Sequence, residues 1–380
     1  MRASKSARPP SDAKRVGLTL TGTTFYKIPM TLFVFRSALL AALVSAGAFS
    51  VIPSFAGLAP EEVIVFKATK ARAEKGDPVV QMELGDCYAK GTGVKKDLVQ
   101  AFSWYQKAAN QGYFLAQYRL ANCYAYARGN KEEQIEPIYA AQWYKKSADQ
   151  GYAPAQHRIG VCHEKKFGVL YADQIVAVSW YRQAAAQGYA PAQRDLGLCL
   201  ERGGVGMPKN LPEAVKLYRQ AAEHGDALAQ CHFGLCHAEG LDVSKDLVVA
   251  ARWYRMAAEQ RNPLGQRSLG LCYAKGEGVA QDMEQAAKWY LRAAEQGDVL
   301  AQKYLGTCYR NGDGLAKDEI EAFAYWSLAG AIDEWARAQV GILEQSLSPE
   351  DLMRAHQRTK ELRQELEKKA EERLAQMDGN

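Results

Sequence analysis

The chain is short of the raw materials of catalysis. Its 380 residues include only six histidines. They are scattered, and no G-x-S-x-G, H-E-x-x-H or G-x-x-x-x-G-K-[ST] pattern occurs. An enzyme needs a nucleophile, a base and an orienting group converging in one pocket, and the sequence marks no such set, so neither catalysis nor a cofactor is expected. Runs of β-branched residues are scarce while alanine is abundant, which argues for helices over sheets. A broad positive field is missing as well. The formal net charge is +5, but seven basic residues precede the first apolar segment: Arg2, Lys5, Arg8, Lys14, Arg15, Lys27 and Arg36. They face one acid, Asp12, and residues 37–56 carry no charge. That surplus of six leaves the remainder of the chain at −1, short of the field that binding to a phosphate backbone requires. Nucleic acid is therefore not an expected partner.

A basic stretch, the apolar run SALLAALVSAGAFSVIPSFAGL and a small-residue boundary at Ser54-Phe55-Ala56 together read as a secretory signal peptide over residues 1–56. Ala46-Gly47-Ala48 is a weaker cleavage site, and Met30 is an alternative start. The competing reading is an uncleaved membrane anchor, because the run approaches the ~20 residues that span a bilayer. On either reading the rest of the chain leaves the cytoplasm, and the expected location is periplasmic or secreted.

The remainder is a repeat. Gln81, Gln117, Gln156, Gln193, Gln230, Gln266 and Gln302 recur at intervals of 36 to 39 residues. Cys87, Cys123, Cys162, Cys199, Cys236, Cys272 and Cys308 keep the same steps. A third column, Trp104, Trp143, Trp180, Leu217, Trp253, Trp289 and Tyr325, recurs at the same period. In the first copy, Val80, Leu84, Cys87 and Tyr88 share one helical face by their three-and-four spacing. Gly91 and Gly93 break that helix. Asp97 with Gln100 starts a second one, as Asp282 with Gln285 and Asp318 with Glu321 do later. In the second copy Glu136 and Pro137 take that place. A single helical hairpin cannot bury both its faces, so the copies must stack. The reading is an all-α, right-handed superhelical solenoid of seven helix-turn-helix repeats over residues 79–330. A capping helix precedes it at 57–78. Another follows at 331–347, and a charged C-terminal helix occupies 348–380, its sparse apolar stripe (Leu352, Leu362, Leu366, Leu374) laid on the end of the stack.

The motifs AQ, LG-x-x-Y, G-x-G-V, a capping Asp, WY-x-x-AA and a closing Gly resemble those of the Sel-one-like repeat (SLR) family, a branch of the tetratricopeptide-type α-solenoids. Residues 264–297, LGQRSLGLCYAKGEGVAQDMEQAAKWYLRAAEQG, carry most of them. Arg261 in place of the closing Gly, Gly265 in place of Ala and Asp242 in place of a turn Gly are departures. The resemblance implies an adaptor or scaffold that binds other proteins, often at bacterial envelopes. The alternative it leaves is a cell-wall (peptidoglycan) or β-lactam binding or hydrolysing protein. A cysteine-rich branch of the family carries disulfides inside each repeat; here each repeat has one cysteine, with Ala where the second would stand.

Equivalent cysteines on stacked helices lie roughly 10 Å apart, beyond the ~7 Å a disulfide spans, so they read as small buried residues. Cys231, His232, Cys236 and His237 form the one local cluster of soft ligands, yet Cys236 and His237 fill ordinary repeat positions, and a structural zinc needs four placed ligands. No metal is expected.

Relative to each reference Gln, the positions one, two, five and nine residues later point away from the core. The fifth is apolar in four consecutive repeats, at Val161, Leu198, Leu235 and Leu271. Around it lie His157, Arg158, Arg194, Arg202, Arg267 and Lys275. These ten residues are the candidate partner-binding face: a groove on the concave side with an apolar floor and basic flanks, suited to a protein or peptide of acidic character. The competing reading is that the four apolar residues pack sideways onto the next first helix, in which case they would be fully buried. A monomer is expected, with membrane contact only through an uncleaved N-terminal segment.

Overall fold

The computed structural model describes residues 59–130, 134–204 and 207–379; the expected signal peptide lies outside them. Among the described residues the elements are seventeen helices, with no strand and one isolated bridge, Gly204 to Met207, inside a turn. Helix α1 (Pro60–Ala73) leads into seven hairpins. Their first helices are α2 (Pro78–Lys90), α4 (Phe114–Ala125), α6 (Ala153–Lys165), α8 (Ala190–Arg202), α10 (Ala227–Glu239), α12 (Pro263–Lys275) and α14 (Val299–Asn311). Their second helices are α3 (Leu98–Asn110), α5 (Pro137–Asp149), α7 (Gln174–Ala186), α9 (Leu211–Glu223), α11 (Leu247–Glu259), α13 (Met283–Ala294) and α15 (Glu319–Ala329). Helices α16 (Glu334–Ser346) and α17 (Pro349–Gly379) follow.

The caps are written into the sequence. Asp97, Asp173, Asn210, Asp246, Asp282 and Asp318 each accept a hydrogen bond from the backbone N–H three residues on, opening α3, α7, α9, α11, α13 and α15. Helix α5 starts instead on Pro137, with Glu136 making no side-chain cap. First helices end on left-handed residues such as Gly91, Gly240, Gly276 and Gly312.

Two contacts set the spacing. Within a repeat, the first helix carries a glycine where the second helix presents an aromatic ring: a Cβ on Gly85, Gly160, Gly270 or Gly306 would lie 2.6 Å from Tyr105, Tyr181, Tyr290 or Trp326. Between repeats, the second turn glycine sits on the backbone of the preceding second helix. A Cβ on Gly129, Gly168, Gly278 or Gly314 would lie about 2 Å from the carbonyl of Leu98, Pro137, Leu247 or Met283. Gly93 meets the Glu62 carbonyl of α1 in the same way, so α1 plays the part of a second helix covering the first repeat.

The departures in the fifth and sixth repeats are accommodated. Arg261 adopts a left-handed backbone (φ 61°) at a position where the equivalent glycines have open space around the missing Cβ. At Gly265 a Cβ would come within 2.6 Å of the Ala257 Cβ, so losing the usual alanine lets α12 approach α11 more closely.

A buried amide ladder locks the repeats together. Each reference Gln donates its Nε2 to a carbonyl at the end of the preceding second helix: Gln81 to Ala73, Gln117 to Ala109, Gln156 to Ala148, Gln193 to Ala185, Gln230 to Ala222, Gln266 to Ala258 and Gln302 to Ala294. In return its Oε1 accepts from the glutamine closing its own repeat, as from Gln111, Gln150, Gln187, Gln260 and Gln296; in the fourth repeat His224 stands there. The seven glutamines are nearly inaccessible, and a buried amide with both ends bonded holds register as well as energy.

Helix α17 does more than continue the stack. It packs on α15, burying Ala355 against the Phe323 and Trp326 cluster and Leu362 beside Tyr325 and Tyr290. Farther along, Lys369 pairs with Glu295 at 2.7 Å, and Arg373 donates to the Glu295 carbonyl. It therefore lies back over the second helices of the last two repeats. No helix among the described residues is long and apolar enough to cross a membrane.

Candidate binding face on the first helices

The four apolar residues of the expected groove floor are neither buried nor bare. Val161 and Leu198 are half-buried against the core of the third to fifth repeats. Leu271 is half-buried beside the core of the sixth, and Leu235 is 41% exposed. Between α10 and α12 this face opens into a cavity of about 370 Å³. Leu235 and Leu271 line it together with Leu264, Tyr254, Ser268, Arg267 and Lys275.

The basic residues are placed unequally. His157 does not flank the groove: it is buried, with Nε2 2.7 Å from Asp195 Oδ2 and its ring against Tyr181 and Tyr189. The paired His157 and Arg194 hold the Asp195 carboxyl below the usual carboxylate range against the opposing effect of burial. Arg194 bridges Asp195 and Asp226 at 2.7 and 2.8 Å, and Arg267 pairs with Asp298 at 3.0 Å. Lys303 pairs with Asp333 in the same register. These acids are the N-caps of the next first helix at Asp226, Asp298 and Asp333, so the position after the reference Gln is a seam between repeats. Aromatic contacts replace the ion pairs in the earlier copies, with Tyr118 against Tyr152 and His157 against Tyr189. Arg158 lies over the ring of Tyr126. Arg202 and Lys275 keep mostly exposed side chains, with Glu164 at 3.9 Å and Glu277 at 3.7 Å. Half of the expected basic flank is thus spent on holding repeats together.

The cysteine and histidine cluster in the fifth repeat does not converge. The Cys231 thiol donates to Asn262 Oδ1, His232 stacks on Tyr218, Cys236 lies in the core, and His237 meets Phe233 edge-on. Burial pushes the Cys231 thiol up to about 12 and lowers the His232 pKa, so the one is a poor nucleophile and the other a poor cation at neutral pH. No group of three or more metal-ligating side chains gathers among the described residues, and Cys231 and Cys236 are not joined in a disulfide.

Sequence reasoning saw the tyrosine of the WY-x-x-AA motif, present in the first six copies and replaced by Trp326 in the seventh, but missed what its hydroxyl does. Tyr105 donates its hydroxyl to Asp86, Tyr144 to Asn122, Tyr181 to Glu164 and Tyr218 to Glu201. The acceptor stands one residue before the repeat's cysteine in the first two copies and two residues after it in the next two. In the fifth and sixth copies those places hold Leu235 and Ala238, and Leu271 and Ala274. The hydroxyls of Tyr254 and Tyr290 have no acceptor among the described residues.

Stacked helical hairpins tied by a buried amide ladder define an α-solenoid of tandem repeats. The chain belongs to the Sel1 repeat family: the family model matches residues 78–113, 115–152, 153–189, 190–226, 227–262, 263–298 and 299–331. Proteins of this family bind other proteins and are in general not catalysts. A solved structure similar to this chain is c5321, a protective antigen of uropathogenic Escherichia coli strains with an SLR fold. It is 30% identical, with a TM-score of 0.73, covering 83% of this chain and 67% of that one. A Sel1 repeat protein from Oxalobacter formigenes is 32% identical, with a TM-score of 0.59, covering 67% of this chain and 96% of that one. No curated protein matches in sequence.

Proposed function

We propose that this chain is a non-catalytic scaffold that acts outside the cytoplasm and captures a protein partner on its first-helix face, through Val161, Leu198, Leu235 and Leu271. The observation that carries the reading is this row of incompletely covered apolar side chains on four adjacent first helices, opening into the cavity between α10 and α12. A solvated face has no use for such a row, whereas a partner's apolar side chains would complete its burial. Arg158, Arg202 and Lys275 supply the charge that remains for a partner with acidic residues. Arg194 serves the seam and acts on a partner only through the shape it holds, whereas Arg267 pairs with Asp298 in the seam and also lines the cavity. The export half of the reading rests on the basic and apolar leader.

The test is affinity capture from the native envelope with the wild type and with Leu198→Glu and Leu235→Glu. Leu235 is 41% exposed and Leu198 half-buried on the core, so circular dichroism of both variants accompanies the capture to show that they fold. Loss of the partner from both is the expected result, and unchanged capture by both overturns the reading.

A further inference from the structure

We propose that the cavity between α10 and α12 is a recognition pocket for an aspartate or glutamate side chain of the partner, seated beside one of the partner's apolar side chains. The proposal rests on the first-helix face being the partner site. Its own ground is a pattern across the repeats. Four inner tyrosine hydroxyls are each satisfied by a side chain of their own repeat, three times a carboxylate and once an amide. In the fifth repeat both acceptor positions are apolar, Leu235 and Ala238, and it is there that a cavity of about 370 Å³ opens over Tyr254. The Tyr254 hydroxyl faces that cavity with no side-chain acceptor of its own repeat, so a ligand oxygen can take the place that a carboxylate or amide holds in the first four.

The surroundings favour a carboxylate with an apolar neighbour. Tyr254 is 7% exposed at the floor. Arg267, its side chain 18% exposed, stands on the wall with Asp298 already beside it, and Lys275, its ammonium 3.7 Å from Glu277, completes the basic part of the lining. Of the opposing acids, Glu239 is exposed and Glu277 has a side chain 43% exposed beside Lys275 at 60%, so water screens all three. Leu235, Leu264 and Leu271 form the rest of the wall, and the volume falls in the range of small-ligand sites.

The probe is 4-methylpentanoate, a carboxylate on the branched end of a leucine side chain, with neutral 4-methylpentanamide as its control. Methyl NMR on the intact protein reads the leucine signals. The carboxylate is expected to shift Leu235, Leu264 and Leu271 saturably, at millimolar concentration as suits so few atoms. Tyr254→Phe is expected to weaken it about tenfold, the usual effect of losing one hydrogen bond to a charged group. Ala238→Glu, which restores the acid found in the third and fourth repeats, is expected to abolish binding while leaving the fold intact. No saturable shift in the wild type, or equal binding by wild type, Tyr254→Phe and Ala238→Glu, overturns the pocket. If the probe fails while Leu198→Glu still loses the partner, the pocket falls and the groove stands. If the probe binds but capture survives both glutamate variants, the groove falls, and with it the assignment of this pocket to a protein partner.

Discussion

Replacing Gln230 by methionine tests the amide ladder that joins one repeat to the next. Gln230 is 1% exposed, donates to the Ala222 carbonyl at 3.2 Å and accepts from Gln260 at 2.9 Å. Methionine keeps the length and volume of the side chain and removes both bonds. The Gln260 amide is exposed enough to turn to water, and the Ala222 carbonyl keeps the N–H of Gly225 as a donor. The loss is therefore two net hydrogen bonds rather than two orphaned groups, about 1–3 kcal/mol. Gln302→Met is the internal control. Gln302 bonds Ala294 at 3.4 Å, and among the described residues no side chain plays the part of Gln260, so about 0.5–1.5 kcal/mol should go. Because the lost bond spans α9 and α10, the weakened term is an interface between repeats, and the urea transition should broaden as well as move earlier. Urea unfolding followed by circular dichroism measures both. A Gln230→Met protein as stable as the wild type, or a Gln302→Met protein that loses as much, refutes the argument.

Gly278→Ala should cost about 2–5 kcal/mol, combining a left-handed backbone with a Cβ driven into the Leu247 carbonyl. Gly297→Ala, also left-handed but with open space around it, should cost only about 1–2 kcal/mol in the same unfolding experiment. Leu362→Ala should lose about 2–5 kcal/mol, since this side chain is 2% exposed between α17 and the last repeats; a loss below about 1 kcal/mol would mean that α17 is not docked. Burial pushes the thiols of Cys162, Cys199, Cys236, Cys272 and Cys308 up to about 11 and those of Cys123 and Cys231 to about 12. None of these seven should react readily with a thiol reagent in the folded protein at pH 8. Each raised thiol keeps its proton when folded after the unfolded chain has lost it, so stability is intact below about pH 9 and declines as the pH climbs from there toward 11; an alkaline denaturation series that stays flat would contradict this.

The repeat architecture was legible because it depends on local patterns that recur. Each copy states its own helix start, its glycine break and its apolar stripe, and a hairpin with two apolar faces has no stable alternative to stacking. The capping aspartates and the covering role of α1 follow from the same pattern. The C-terminal helix was legible as a cap but not in its path. Leu362 marks an apolar stripe in the sequence, whereas the pairing of Lys369 with Glu295 joins residues 74 apart.

The binding face divides along the same line. That Val161, Leu198, Leu235 and Leu271 share a register is a property of the sequence alone. Which cations remain for a partner is not, because Arg194 finds Asp226 and His157 finds Asp195 only when successive repeats stack, at separations of 32 and 38 residues. The tyrosine column is subtler still. Its acceptor moves from one side of the cysteine to the other between the second and third repeats, so no single column of the repeat shows it. The sequence determined that seven hairpins must lean on each other, since burial of an apolar stripe is set by local spacing. Tertiary structure alone decided which polar groups were left over, since a hydrogen bond is made or missed by the distance between side chains that the chain brings together from far apart.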